Sequence, residues 1–145
     1  MNKKQKKILY FIFKLIILIF CGQIIKKITL YLHAKNILSL TLIKNTGAAF
    51  SFLNDNTLTL IIISLVLLGL IFYFIYNNIE KFDKTNYIAF LFLTSGAILN
   101  LSERIIYGRV DDFIKLPFIN FPVFNYYDLM ITFGVFLLII KILKK

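Results

Sequence analysis

The chain has little charge, few acids, one cysteine and two prolines. Charged residues make up 17% of its 145 positions, well below the roughly 25% of an ordinary soluble domain. At the same time 59% of the residues are hydrophobic, with 16 Phe and 8 Tyr. A soluble chain of this length could bury one core, but it could not hide that much apolar surface from water. The solvent it is built for is the bilayer. The single cysteine, Cys21, excludes an internal disulfide. Small residues are missing where a leader peptide would be cut. Leu18, Ile19 and Phe20 precede Cys21, so the first apolar segment is expected to be retained. There is no internal repeat and no low-complexity tract. One compact domain is expected over residues 1–145.

The net charge of +10 would suit nucleic acid if it formed a stripe on a solvated element, but it is placed otherwise. Lys3, Lys4, Lys6 and Lys7 precede the first apolar run, and Lys141, Lys144 and Lys145 end the last. Basic clusters beside apolar spans set topology and meet anionic lipid headgroups. Membrane lipid is therefore the expected partner, and nucleic acid is not.

Four segments are apolar enough to cross: 8–25, 57–77, 86–103 and 126–142. A helix needs roughly 20 residues to span a ~30 Å hydrocarbon core, so the third and fourth are short. Lys14, inside the first, can snorkel toward the N-terminal interface. The linker from Asn77 to Thr85 can only join two antiparallel helices. The other two linkers are long and share the opposite side. One carries the alternating stretch Leu38-Ser39-Leu40-Thr41-Leu42, which reads as a half-buried strand. The other carries both prolines, Pro117 and Pro122, with Gly108 opening a turn. By the positive-inside rule both termini are cytoplasmic and the long linkers lie outside.

The acids are few and unevenly spread. Asp55, Glu80 and Asp83 belong to linkers, whereas Glu103, Asp111, Asp112 and Asp128 cluster at the outer ends of segments three and four or between them. A carboxylate at a membrane boundary is costly and is a functional candidate by default. Asp111 and Asp112 could instead pair with Arg109 and Lys115 in a solvated turn. Asp128, with long uncharged stretches on both sides, needs a partner: Arg104, or a second carboxylate sharing a proton. Gly96, Asn100 and Arg104 share one face of segment three, and Asn125 and Asp128 are spaced i, i+3. Such a polar face lines a site or serves as glue between helices.

Three stretches then match a known pattern. Asn45-Thr46-Gly47-Ala48-Ala49-Phe50-Ser51 resembles N-x-G-A-A-F-S of the lipoprotein signal peptidase (signal peptidase II) family. Asn100 to Arg104 and Gly108 to Ile114 resemble its N-L-I-D-R…G-x-V-V-D-F-I. Phe121 to Ile131 resembles its F-P-x-F-N-x-A-D-x-x-I. Gln23 and Lys26 match the remnant of a first-segment D-Q-x-x-K. Order, spacing and the four-span layout agree over essentially the whole chain.

The resemblance implies an all-α membrane protein with four transmembrane helices and a small extracytoplasmic β-cradle. It implies a multi-pass peptidase of the bacterial cytoplasmic (inner) membrane, with its active site near the outer face. This would be an aspartic endopeptidase that removes the signal peptide from diacylglyceryl-modified prolipoproteins, cutting before the lipidated cysteine, with no metal and no cofactor. Asp112 and Asp128 become the catalytic pair. Asn45, Gly47, Asn100, Arg104 and Asn125 become the substrate-binding and supporting residues.

Six positions depart from the family pattern. Gly22 stands for Asp, Glu103 for Asp and Tyr127 for a small Ala that would leave the pocket wider. Asp111 stands for an apolar residue, and Ser95 and Leu99 replace glycines. The other readings are an inactive homologue that binds lipidated peptides, a small transporter or proton-relay protein using Asp128 and Glu103, and a structural membrane subunit.

Overall fold

The computed structural model describes residues 1–35, 41–47, 53, 56–116 and 118–144. Four helices dominate: α1 (Lys3–Ala34), α2 (Thr57–Asn78), α3 (Lys84–Tyr107) and α4 (Tyr126–Leu143). All four are long and apolar enough to cross a membrane. Two short strands, β1 (Ile43–Asn45) and β2 (Val110–Asp112), pair antiparallel.

The helix ends follow from local chemistry. Asn2 and Gln5 form a reciprocal capping box at the start of α1, which satisfies two orphan N–H groups. Asp83 caps α3 by accepting the Asn86 amide at 2.9 Å. The helix stops at Gly108, whose φ of 69° lies in the left-handed region that glycine enters without penalty. Asn125 and Asp128 form the capping box of α4.

The first helix is longer than the apolar run 8–25 suggested. It has 32 residues, about 48 Å at 1.5 Å per residue. The backbone ladder continues through Lys26 and Lys27 because nothing there breaks a helix; hydropathy had marked the end of the oil, not the end of the hydrogen bonding. Of the strand expected at 38–42, residues 38–40 lie outside those described and Thr41 and Leu42 are not in a strand; the described strand is Ile43–Asn45. It forms where β2 supplies a partner, in the register Ile43↔Asp112, Lys44↔Asp111, Asn45↔Val110. Of the resemblance-bearing loop, 48–52 also lie outside the described residues, as do Asp55 and Pro117.

Helix α3 is the hub, packing on α1, α2 and α4. Its tightest seam is with α4, where two glycines let backbones approach. A Cβ on Gly134 would lie 2.6 Å from the Ala89 carbonyl, and one on Gly96 would collide with the Tyr127 carbonyl. Phe11, Leu15, Ile75, Ile79, Phe90 and Leu91 form the apolar core at the other end. Many large apolar side chains point outward, among them Leu58, Leu65, Leu70 and Phe136. That is the pattern of helices whose outer faces meet lipid.

One end of the bundle is tied by basic side chains. Lys7 donates to the Ile79 and Glu80 carbonyls at 3.4 and 2.9 Å, and Lys141 pairs with Asp83. The start of α1, the 79–83 linker and the end of α4 are thereby gathered together. The strands lie at the opposite end. Lys14 sits 4.3 Å from the Tyr10 ring centroid, one turn toward the N-terminus, as a snorkelling ammonium should.

Candidate active site

The groove at the strand end is assembled from four elements. Its wall includes Asn45 from β1, Asp112 from β2, Asn100 and Arg104 from α3, and Asn125 and Asp128 from the start of α4. The cavity measures about 920 Å³. Leu116, Phe121 and Leu129 supply an apolar side.

Each element delivers its side chain for a local reason. In β2 the side chains alternate, so Val110 and Asp112 are buried while Asp111 is half-exposed. Successive strand residues point to opposite faces, and this alone separates two adjacent acids. Asp111 turns to Arg109, 3.3 Å away. Beyond β2 the chain leaves and returns through a short ladder: the Phe113 and Ile114 amides donate to the Phe124 carbonyl at 3.0 and 2.8 Å, and the Phe124 amide donates back to Ile114 at 3.1 Å. That clasp brings Asn125 beside Asp112.

Asn125 holds the centre. Its Oδ1 accepts the Tyr127 and Asp128 amides at 2.7 and 3.3 Å, capping α4. Its Nδ2 donates to Asp112 Oδ1 at 2.6 Å. Its backbone amide donates to Asp128 Oδ2 at 3.1 Å. A single asparagine therefore contacts both carboxyls. Asn100 donates to Asp128 Oδ1 at 2.8 Å and accepts from Asn125 at 3.3 Å. Asn45 donates to Asp112 Oδ2 at 2.8 Å, reaching diagonally across the two-stranded pairing.

The Asp112 carboxyl is pushed above the ordinary carboxylate range, first by burial. The amides of Asn45 and Asn125 pull the other way, the charge of Asp128 adds to the rise and Lys26 opposes it. Burial prevails because a carboxylate loses its hydration there.

Two expected contacts resolve differently. Arg104 forms no hydrogen bond to either aspartate among the described residues. It donates to the Gly47 carbonyl at 2.8 Å and to the Asn100 carbonyl at 3.5 Å, and its Nε is buried without a partner among the described residues. Gly47 itself is buried and is not part of the groove wall; it contributes through that carbonyl. Tyr127 was expected to narrow the pocket, but it is not part of the wall. Its ring turns toward α1, where a Cβ on Gly22 would lie 3.7 Å from Tyr127 Cε1 and 2.8 Å from Leu99 Cδ1. The missing side chain at Gly22 is the space these two larger residues fill.

Lys26 and Glu103 were not singled out together by sequence, yet they form a buried pair at 2.6 Å, with side chains 4% and 13% exposed. They are too far apart in the chain for any local signal. The hint was that each falls in a motif of the resemblance, Lys26 in D-Q-x-x-K and Glu103 in N-L-I-D-R.

Two carboxyls joined by asparagine amides thus face one groove, where helices able to cross a membrane meet a small sheet. The chain belongs to the signal peptidase II family: the family described as Signal peptidase (SPase) II matches residues 4–144, and its members are proteases. The lipoprotein signal peptidase of Latilactobacillus sakei subsp. sakei is 34% identical over 145 residues, covering 95% of each chain. That of Caldicellulosiruptor bescii is 42% identical over 109 residues, covering 75% of this chain and 69% of its own. A solved bacterial membrane enzyme superposes with a TM-score of 0.73 at 27% identity, covering 93% of this chain and 88% of that one.

Proposed function

We propose that this multi-pass membrane peptidase cuts through Asp112 and Asp128, acting as one acid–base pair, and that residues 1–145 form a single peptidase domain. The reaction is removal of the signal peptide from a prolipoprotein. The supporting observation is Asn125, whose side chain and backbone amides contact the two carboxyls at 2.6 and 3.1 Å.

Asp112, buried and pushed toward its neutral form, is the acid. Asp128, served by the Asn100 amide and by the backbone amide of Asn125 at the start of α4, is the base. Asp128 takes a proton from water, and the oxygen adds to the scissile carbonyl carbon. The proton on Asp112 hydrogen-bonds the carbonyl oxygen as charge develops there. Collapse of the tetrahedral adduct breaks the C–N bond, and the leaving nitrogen takes the proton from Asp128. Asn45, Asn100 and Asn125 hold the unwound peptide, and Arg104 stabilises negative charge beside them.

The substrate carries a diacylglyceryl group on the cysteine after the cut, and it enters laterally from the bilayer. The apolar side of the groove, with Leu116, Phe121 and Leu129, suits such a lipid. The termini are cytoplasmic and the groove lies near the outer face, in keeping with the lysines gathered at the other end of the bundle. The test is incubation of the purified protein with lipid-modified and unmodified prolipoprotein. A shorter product from the modified form, beginning at the lipidated cysteine, is expected. Equal cleavage of both forms, or of neither, sinks the reading.

A further inference from the structure

The side of β2 away from the groove is held by a charged knot that the cleavage chemistry does not use. Glu103, on the last turns of α3, is paired with Lys26 of α1 at 2.6 Å. The same oxygen, Oε2, accepts the backbone N–H of Asp111 at 3.2 Å. The Lys26 ammonium also lies 4.9 Å from the Tyr127 ring centroid and 5.8 Å from that of Phe113. Phe113 follows Asp112 directly, and Tyr127 precedes Asp128. The knot thus grips the chain next to each carboxyl of the pair.

A buried ion pair is weak evidence for stability, because desolvating two charges offsets their attraction. Its retention here calls for another reason, and the third partner supplies one. The paired carboxylate has a further lone pair, and it spends that on a backbone amide of a strand only three residues long. So short a strand, paired to a single neighbour, needs an external anchor to present a side chain at a defined place.

We propose that Glu103, neutralised by Lys26, is a positioning residue: by accepting the Asp111 amide it fixes β2 and so sets where the Asp112 carboxyl stands relative to Asp128. This rests on the reading of Asp112 and Asp128 as the catalytic pair. The groove-side groups around Asp112 are Asp128 from α4, Arg104 from α3 and Lys44 on β1. Lys26 acts on it from α1.

The test separates the charge from the hydrogen-bond acceptor. Two double variants of the full-length protein, Lys26→Met/Glu103→Gln and Lys26→Met/Glu103→Ala, both remove the ion pair. Only the first keeps a carbonyl oxygen able to accept the Asp111 amide. Cleavage of lipid-modified prolipoprotein is measured as kcat and KM. The Gln double is expected to stay within about threefold of the parent kcat. The Ala double should lose about 10–100-fold in kcat with KM nearly unchanged, as misplacement of a reacting group does.

Equal kcat in the two doubles would overturn the proposal. A third variant, Asp111→Pro, removes the amide donor and leaves the buried pair intact. It is expected to lose kcat likewise, and parent-level kcat in it would also overturn the proposal, whatever the folding of the Ala double. Asp112→Asn is run alongside. If it cleaves, the catalytic reading has failed; if it is inert while the Ala double and Asp111→Pro are unimpaired, only the positioning role has.

Discussion

Replacing each of three acids by asparagine should separate them sharply. Asp112 accepts from Asn45 Nδ2 on one oxygen and from Asn125 Nδ2 on the other. An asparagine at 112 offers one acceptor oxygen, so its own NH₂ must face a donor. A lost hydrogen bond of this kind costs about 1–3 kcal/mol when buried. Removing a carboxyl whose ionisation burial disfavours returns energy of the same order, so the variant should fold with its unfolding midpoint little changed. Its chemistry should not survive: loss of a general acid alone costs about 10²–10⁴ in rate, and Asp128, the other carboxyl in the groove wall among the described residues, is already committed as the base. Asp128→Asn should be equally inert.

Asp111→Asn removes only a pair with Arg109 whose side chains are 37% and 28% exposed. An exposed pair of this kind is worth about 0–1 kcal/mol, and the backbone amide bound by Glu103 remains. Its rate should stay within about twofold of the parent, since tenfold requires about 1.4 kcal/mol. The assay is cleavage of lipid-modified prolipoprotein at matched protein amounts, with thermal unfolding measured in parallel. Cleavage by Asp112→Asn with loss in Asp111→Asn would move the pair by one residue. Cleavage by Asp128→Asn would end the two-carboxyl mechanism.

Three further outcomes are expected. Because the Asp112 carboxyl is raised and must be protonated to act, the rate should fall as pH rises through that raised value, above the ordinary carboxylate range. Asn45→Ala removes an amide that favours the charged form, so it should carry this limb to still higher pH; a shift to lower pH in the rate profile would contradict the assignment. Gly134→Val places a side chain where a Cβ already meets the Ala89 carbonyl at 2.6 Å and the Leu93 amide nitrogen at 2.8 Å. It should destabilise by about 1–3 kcal/mol and lower the yield of folded protein, whereas Gly69→Ala, with open space around it, should not. Gly22→Asp should be harmful alone because Leu99 and Tyr127 fill the space. It should be eased by adding Leu99→Ala, and an equal unfolding temperature for the single and double variants would refute the shared-space reading.

Much of the architecture was legible without coordinates, because it is written in local patterns. Twenty or so apolar residues in a row have only the bilayer as solvent, so four spans followed from composition and order. Caps and breaks are equally local. Gly108 ends α3, and the i, i+3 pair Asn125 and Asp128 proved to be the capping box of α4. The resemblance singled out Asp112 over Asp111, and the alternation of side chains along β2 buries the one and half-exposes the other. The described strand, Ile43–Asn45, begins after Thr41 and Leu42, since alternation marks a candidate but only a partner strand makes a ladder.

The sequence by itself thus determined the membrane as solvent, the four helices, the family motifs and, through the resemblance, the two acids singled out as a pair. Tertiary structure decided what touches what across long stretches of chain. Asn45 meets Asp112 only because β1 and β2 pair. Arg104 serves the Gly47 carbonyl, not an aspartate, because packing brings that loop to α3. Tyr127 leaves the groove open because Gly22, on another helix, makes room for its ring. Lys26 and Glu103 become a buried pair because α1 and α3 lie side by side. Such contacts depend on helix rotation and separation, and an ångström of either decides whether a polar group is satisfied or orphaned. No periodicity within one segment carries that information.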